Sequence, residues 1–386
     1  MSSPFKVSNT KGLARAGELT TAHGVIKTPV FMPIATSGAI KTMTAEETKA
    51  LGAQIILGNT YHLLLRTGEA DMKTFGGLHK FMNWNGPILT DSGGYQVFSL
   101  AKLNKTDEDG VTFQSHIDGH TIRLTAEDSM RIQAGIGSDI RMQFDDVAAG
   151  LSTRERYEEA MERSLRWAER SKTAFKNWST HGSTPTPLLF GIIQGGTYED
   201  LRARSLEGLV RTDFDGYAIG GLSVGEHRED TFRIVKNLAS KMPDDKPRYF
   251  MGGGMPEEIM YYVAHGVDMF DCVIPTRHAR HGQIFVWKGN PADCVAEAFT
   301  RAQDDSADFR IAEAMYEKVA ITNEQYTLDQ SPIDAFNDCE TSKTYTKAYL
   351  RHLFKNGEML GMKLATAQNL RFYIRMMEEL RKVIEL

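Results

Sequence analysis

Eight short apolar runs, each followed by a stretch of helical periodicity, constrain this chain more than any other feature. They are Val30–Ala35, Gln54–Leu57, Pro87–Thr90, Ile140–Phe144, Leu188–Ile193, Gly216–Ile219, Arg248–Met251 and Met269–Cys272. Most are continuous rather than alternating, the pattern of strands buried on both faces. Between them, Thr153–Lys176 places Tyr157, Met161, Leu165 and Ala168 on one stripe, with Arg and Glu opposite and Thr153 as N-cap. Pro256-Glu257-Glu258 opens another helix, with proline in the first turn and acids toward the positive end of the dipole. Eight such alternations in about 250 residues predict an α/β fold, a (β/α)8 barrel.

Composition agrees. Of 386 residues, 41% are hydrophobic and 25% charged, with a formal net charge of −5, which excludes a disordered, fibrous or disulfide-stapled chain. Cys272, Cys294 and Cys339 form no CxxC pair and suit a reducing compartment. Met1 is followed by no apolar signal core, and no run reaches the ~18 apolar residues of a membrane span. A cytoplasmic protein without membrane attachment is expected. The barrel is placed at 1–282. It carries an insertion at 101–138, where Val111–Ile117, Asp118-Gly119 and His120–Leu124 read as a hairpin with a D-G turn. Residues 283–345 read as acidic and irregular, and 346–386 as basic helices packed on the barrel. From Lys343 onward the net charge is +5.

The chemistry of such a barrel lies at the C-terminal ends of its strands. There the sequence places Asp91-Ser92-Gly93-Gly94-Tyr95, Asp145-Asp146-Val147, Gln194-Gly195-Gly196, Gly220-Gly221-Leu222, Gly252-Gly253-Gly254-Met255-Pro256 and Asp271-Cys272. The last is followed by Pro275–Gly282. An aspartate there is often a helix cap, a glycine a turn residue, and Cys272 a small buried apolar side chain. Their joint occurrence on one rim points to chemistry. Paired carboxylates suit glycosyl transfer, one as nucleophile or cation stabiliser and one as acid/base. An aspartate, an amide and bare glycine backbone suit the edge of a planar heterocycle, and Tyr95 its face. Gly252–Gly254 ahead of a helix suits phosphate, as do Arg277 and Arg280.

The segments Thr90–Gln96 (TDSGGYQ), Gly191–Gly196 (GIIQGG), Gly216–Glu226 (GYAIGGLSVGE) and Asp268–Arg280 (DMFDCVIPTRHAR) resemble the tRNA-guanine transglycosylases, as do Thr28–Thr36 and Gly58–Leu63 (GNTYHL). The resemblance covers roughly residues 10–286 and continues more loosely through Gly357–Tyr373. It implies exchange of the wobble guanine of GUN-anticodon tRNAs for a 7-deazaguanine through a covalent intermediate. By the resemblance, Asp271 is the nucleophile and Asp91 the general acid/base; the residues alone leave those two roles open. Ser92, Gly93, Gly94, Asp145, Gln194, Gly221 and Leu222 fall at base-binding positions, with Tyr95 and Met251 sandwiching the base. Gly252, Gly253, Gly254, Met255, Pro256, Glu257, Glu258, Thr276, Arg277, His278, Ala279 and Arg280 fall in stretches that touch tRNA. A homodimer is implied. Val147 matches the queuine-using eukaryotic subunits and Val224 the bacterial enzymes, so the pocket signals are mixed.

The family's structural zinc site is expected to be lost. Its three cysteine positions fall on Asn337, Cys339 and Ser342, and its histidine position on Gln368. Only Cys339 remains of the four N/S ligands a tetrahedral site requires, so no metal and no cofactor are expected. Three other readings stand beside this one: a non-catalytic tRNA-binding subunit, a transglycosylase acting on another nucleic acid, and a carbohydrate-cleaving (β/α)8 enzyme.

Overall fold

A computed structural model describes residues 3–95, 104–179, 186–304 and 309–386; Gln96 and the start of the expected insertion lie outside them. Strands β1 (Phe5–Lys11), β2 (Ala14–Thr21) and β3 (Gly24–Thr28) form an antiparallel meander. The chain then runs through β4 (Val30–Met32) and β5 (Ile34–Ala35), β6 (Ile56–Gly58) and β7 (Ile88–Thr90). An inserted sheet follows, of β8 (Asn104–Thr106), β9 (Gly110–Gln114) and β10 (Thr121–Thr125). The parallel strands resume with β11 (Ile140–Met142), β12 (Leu188–Ile193), β13 (Gly216–Ile219), β14 (Arg248–Phe250) and β15 (Met269–Asp271).

All eight expected strands are present, and they close into a barrel. Strands β4 and β5 are one extended run divided at Pro33, which has no N–H for the ladder. The first half pairs with β15 and the second with β6, so the divided strand joins both edges of the sheet. Strand residues alternate between two apolar clusters. Met32, Leu57, Leu89, Met142, Phe190, Ile192, Ala218, Tyr249 and Met269 fill the interior. Phe31, Ile56, Ile88, Leu189, Ile193, Ile219, Phe250 and Phe270 pack outward under the helices. The period-2 geometry of a strand thus serves two buried faces.

Two sequence expectations are corrected. The D-G hairpin is part of a three-stranded sheet whose β9–β10 connection spans 115–120, because Asp118 accepts from the His120 N–H (3.2 Å) and builds a wider turn. Residues 283–345 are far from irregular. Strands β16 (Gln283–Trp287) and β17 (Tyr316–Ala320) pair antiparallel, and helix Pro291–Gln303 buries Cys294, Val295, Ala298, Phe299 and Ala302. The acidic residues lie on its outer face, which is why composition hid the order.

The chain ends in helices Lys347–Lys355 and Met359–Glu385. Much of their positive charge is consumed internally. Arg371 bonds Asp338 and Glu378, Arg375 bonds Asp338 and Glu379, and Lys363 pairs with Glu47. The Arg381 guanidinium donates to the Pro29 carbonyl (2.7 Å), tying the last helix to the start of the barrel.

Candidate active site

Strand alternation places the rim. Two residues beyond the inward-facing Leu89, Ile192, Tyr249 and Met269 come Asp91, Gln194, Met251 and Asp271. Asp91, Asp145, Met251 and Asp271 all line one cavity of about 440 Å3 at the barrel mouth, with Tyr95, Val147, Gly221, Leu222, Val224 and Arg277 around them.

The three carboxylates are held differently. Asp91 accepts from the Asn59 amide (2.6 Å) and the Thr60 N–H (2.9 Å). Burial pushes its carboxyl up to about 7; the charges of Asp271 and Asp145 add to the rise, and the Thr60 and Gly93 N–H groups oppose it. Asp145 accepts from the Ser92 hydroxyl (2.8 Å) and the Gln194 amide (2.7 Å), and burial raises it to about 6. One oxygen of Asp271 accepts from the Tyr249 hydroxyl and from the Gly252 N–H (2.8 Å). Burial raises this carboxyl too, against those two donors. Its other oxygen has no hydrogen-bond partner among the described residues.

Two glycines are sterically required. Gly221 has φ +62°, and a Cβ there would lie 2.2 Å from the Gln194 Oε1. A Cβ on Gly94 would lie 2.6 Å from the Asp145 carbonyl oxygen. Tyr95 is 44% exposed and lines the mouth of the cavity.

Several expected members are turned away from the cavity. Of Gly252–Glu258, Gly252 is exposed at the mouth, but its N–H is taken by Asp271. The Met255 N–H goes to Glu258 (2.7 Å), Pro256 is buried, and Gly253 and Gly254 lie inside. Glu257 is buried, accepting from Arg228 (3.0 Å) and the Tyr316 hydroxyl (2.6 Å). In helix Ile274–Arg280, Thr276 and Ala279 are buried, His278 stacks on Phe285 and Arg280 is partly buried, leaving Arg277 exposed at the cavity.

Three contributors were not read from the sequence. Asn59 caps helix Thr60–Arg66 with its Oδ1 (His62 N–H, 2.9 Å) and gives its amide to Asp91. An Asn before a helix signals the cap but not the second bond. Tyr249 hides inside an apolar strand. Arg202, on helix Glu199–Thr212, is 1% exposed and donates to the carbonyls of Ile193 and Gly220 (2.7 Å each) and Gly196 (2.8 Å). No spacing rule points to it.

The four positions that correspond to the family's zinc ligands converge, but their donor set does not suit zinc. The Asn337 amide donates to Gln368 Oε1 (3.1 Å), while its oxygen accepts from the Cys339 N–H (3.0 Å). The Gln368 amide donates to the Phe285 carbonyl (2.6 Å) and to Asp334 (2.9 Å), which also accepts the Trp287 N–H (3.1 Å). Both amides are thus taken by protein partners, the buried Ser342 hydroxyl has no hydrogen-bond partner among the described residues, and of the four positions one thiol remains as a good zinc donor. Among the described residues a different cluster, His23, His79 and Asp139, could gather round an ion. It lies at the opposite end of the barrel, where the Asp139 carboxylate already accepts from the Ile88 N–H (2.9 Å) and the His23 N–H (3.2 Å).

Comparison with known proteins agrees with this geometry. The profile of the family described as queuine tRNA-ribosyltransferase matches residues 9–386. A queuine tRNA-ribosyltransferase of Haemophilus ducreyi is 48% identical over 385 residues, covering 99% of this chain and 92% of the relative. Those of Idiomarina loihiensis (48%, covering 100% and 94%) and Acinetobacter baylyi (48%, covering 99% and 90%) are similarly close. With relatedness of this extent running through the barrel and its C-terminal helices alike, the chain belongs to the queuine tRNA-ribosyltransferase family.

Proposed function

We propose that this protein is a pentosyltransferase that exchanges the wobble guanine of GUN-anticodon tRNAs for a 7-deazaguanine. One observation carries the reading: three buried carboxylates share one cavity, and among the described residues only Asp271 of the three keeps an oxygen free of protein donors. That oxygen attacks ribose C1′ as the C1′–N9 bond breaks, giving an Asp271–ribose ester. Asp91, poised near neutrality, delivers a proton to the departing guanine and takes one from the incoming base. The incoming nitrogen then attacks C1′ and releases Asp271. A wobble base must leave its stack to enter the cavity, where Tyr95 and Met251 cover its faces and Asp145, Gln194 and Gly221 meet its edge. Arg277 stands at the mouth for phosphate.

The test is release of labelled guanine from the wobble position of a GUN tRNA, with queuine and 7-aminomethyl-7-deazaguanine offered separately. Release with either base is expected, and the preferred base reports on the pocket walls at Val147 and Val224. Asp271→Ala abolishes the SDS-resistant tRNA adduct and Asp271→Asn nearly does. Binding of tRNA without release by either base points instead to the non-catalytic subunit.

The protein acts without structural zinc, because the Asn337–Gln368–Asp334 hydrogen bonds join the segments a metal would join. Metal analysis should find well under one zinc per chain. It works in the cytoplasm as a homodimer: Phe75 and Phe81 stack on each other in the open (4.9 Å between rings), and Tyr349 is exposed beside Tyr345. Sedimentation gives the mass directly. No helix of the described residues is long and apolar enough to cross a membrane.

A further inference from the structure

Arg202 presents an unusual arrangement. Its guanidinium is buried, yet among the described residues it makes no hydrogen bond to a carboxylate. All its bonds go to main-chain carbonyls at the ends of two neighbouring strands: Ile193 and Gly196 after β12, Gly220 and, at 3.4 Å, Gly221 after β13. Burial lowers its pKa to about 9, with the Glu226 charge working the other way. It therefore remains a cation at neutral pH, with carbonyl dipoles as its counter-charge.

The two carbonyls after β13 matter for what lies on their far side. In a trans peptide the C=O and the following N–H are antiparallel in one plane. Holding the Gly220 and Gly221 carbonyls against Arg202 turns the N–H groups of Gly221 and Leu222 the opposite way. Both residues line the active-site cavity, and neither N–H has an acceptor among the described residues. The next two N–H groups, of Ser223 and Val224, converge on the Glu226 carboxylate (Val224 at 3.0 Å). The turn is a run of donors, made possible by left-handed Gly221 and Ser223 (φ +62° and +59°).

We propose that Arg202 is a positioning residue for recognition of the oxygen on the base: it fixes and polarises the Gly220–Leu222 peptides so that their N–H groups meet that oxygen. A cation on the carbonyl side of an amide strengthens the donor on the other side, and most where negative charge grows as the base departs. The role demands a fork. A guanidinium spans carbonyls on two strands, whereas an ammonium is a point charge. The inference rests on the proposal that the cavity takes a purine.

The experiment compares guanine with 2-aminopurine, which lacks the oxygen, as inhibitors of labelled-guanine release by the full chain, in wild type, Arg202→Lys and Arg202→Gln. The expected result is a loss of at least 10-fold in the preference for guanine in both variants, with KM for tRNA unchanged. A role in stability alone would weaken both inhibitors equally and leave the preference intact, which overturns the proposal. Should both variants fail to fold, amide exchange in the wild type decides. The Gly221 and Leu222 amides should exchange readily in the free protein and be protected by guanine but not by 2-aminopurine. Protection in the free protein, or equal protection by both bases, overturns the assignment. A wild type that neither releases label nor binds guanine refutes the underlying reading of the cavity instead.

Discussion

The Tyr249 hydroxyl, inside the barrel, donates to the same Asp271 oxygen that accepts the Gly252 N–H, and among the described residues the other oxygen has no donor. Strand alternation makes this possible: Tyr249 is the inward residue of β14, beside β15 and Asp271 at its end. The phenol holds the carboxyl lower than burial alone would leave it. Tyr249→Phe keeps the ring in the core and removes one donor to a buried carboxylate, worth about 1.5–3 kcal/mol. Adduct formation in a single turnover should slow by roughly 10- to 100-fold. An unchanged rate would reduce Tyr249 to a packing residue.

Asp91 makes the apo-protein's stability depend on pH. Its carboxyl titrates near 7 when folded, against 3.8 ordinarily. Between those values the folded chain holds a proton that the unfolded chain has lost, so this group's contribution falls as pH rises through the window. Asp91→Asn removes that burden and loses part of one hydrogen bond. At pH 8 the variant should be more stable than wild type by about 1–3 kcal/mol in urea denaturation, with the gain gone near pH 4. A variant less stable at pH 8 contradicts the assignment of Asp91 as a strongly raised acid.

On the proposed reading Asp145 accepts from the edge of a base and so must be ionised, and the Ser92 hydroxyl lowers its carboxyl against the rise from burial. Ser92→Ala removes that donor and raises the carboxyl further. The acid limb of the base-exchange profile should move upward by about 0.5–1 pH unit, with activity at pH 8 much less affected. A limb that stays in place assigns it to another group.

The polar cluster at Gln368 is the fourth point of test. Gln368→Ala takes a donor from Asp334 and an acceptor from Asn337, both buried, and should cost about 2 kcal/mol. The midpoint of unfolding should be the same with and without a chelator in wild type and variant. A chelator that destabilises the wild type shows that a metal is present after all.

The alternation of apolar runs made the barrel legible, because both of its buried faces are written into each strand as local pattern. The same alternation reaches two residues past the strands and aims Asp91, Gln194, Met251 and Asp271 inward. It fails at β11. Counting from Met142 puts Phe144 inside and Asp145 outside, yet Phe144 packs outward on Trp167 and Asp145 enters the cavity. Strand pairing ends at Met142, so period 2 no longer governs the residues that follow.

Sequence by itself determined the eight barrel strands and which residues follow their C-terminal ends, since each is a matter of residue type and short spacing; it did not show the β1–β3 meander or the β16–β17 pair. Tertiary structure decided the rest. It chose Asp145 over its neighbour Asp146, which Arg156 and Arg163 hold in ion pairs outside the cavity. It pushed Asp91 toward neutrality, turned Glu257 inward and consumed Lys363, Arg371, Arg375 and Lys382 of the last helix in ion pairs. It also brought Arg202 behind Gly220 and Gln368 against Asp334. Protonation, ion pairing and hydrogen-bond closure depend on distances between residues tens to hundreds of positions apart, and those distances exist only once the chain has folded.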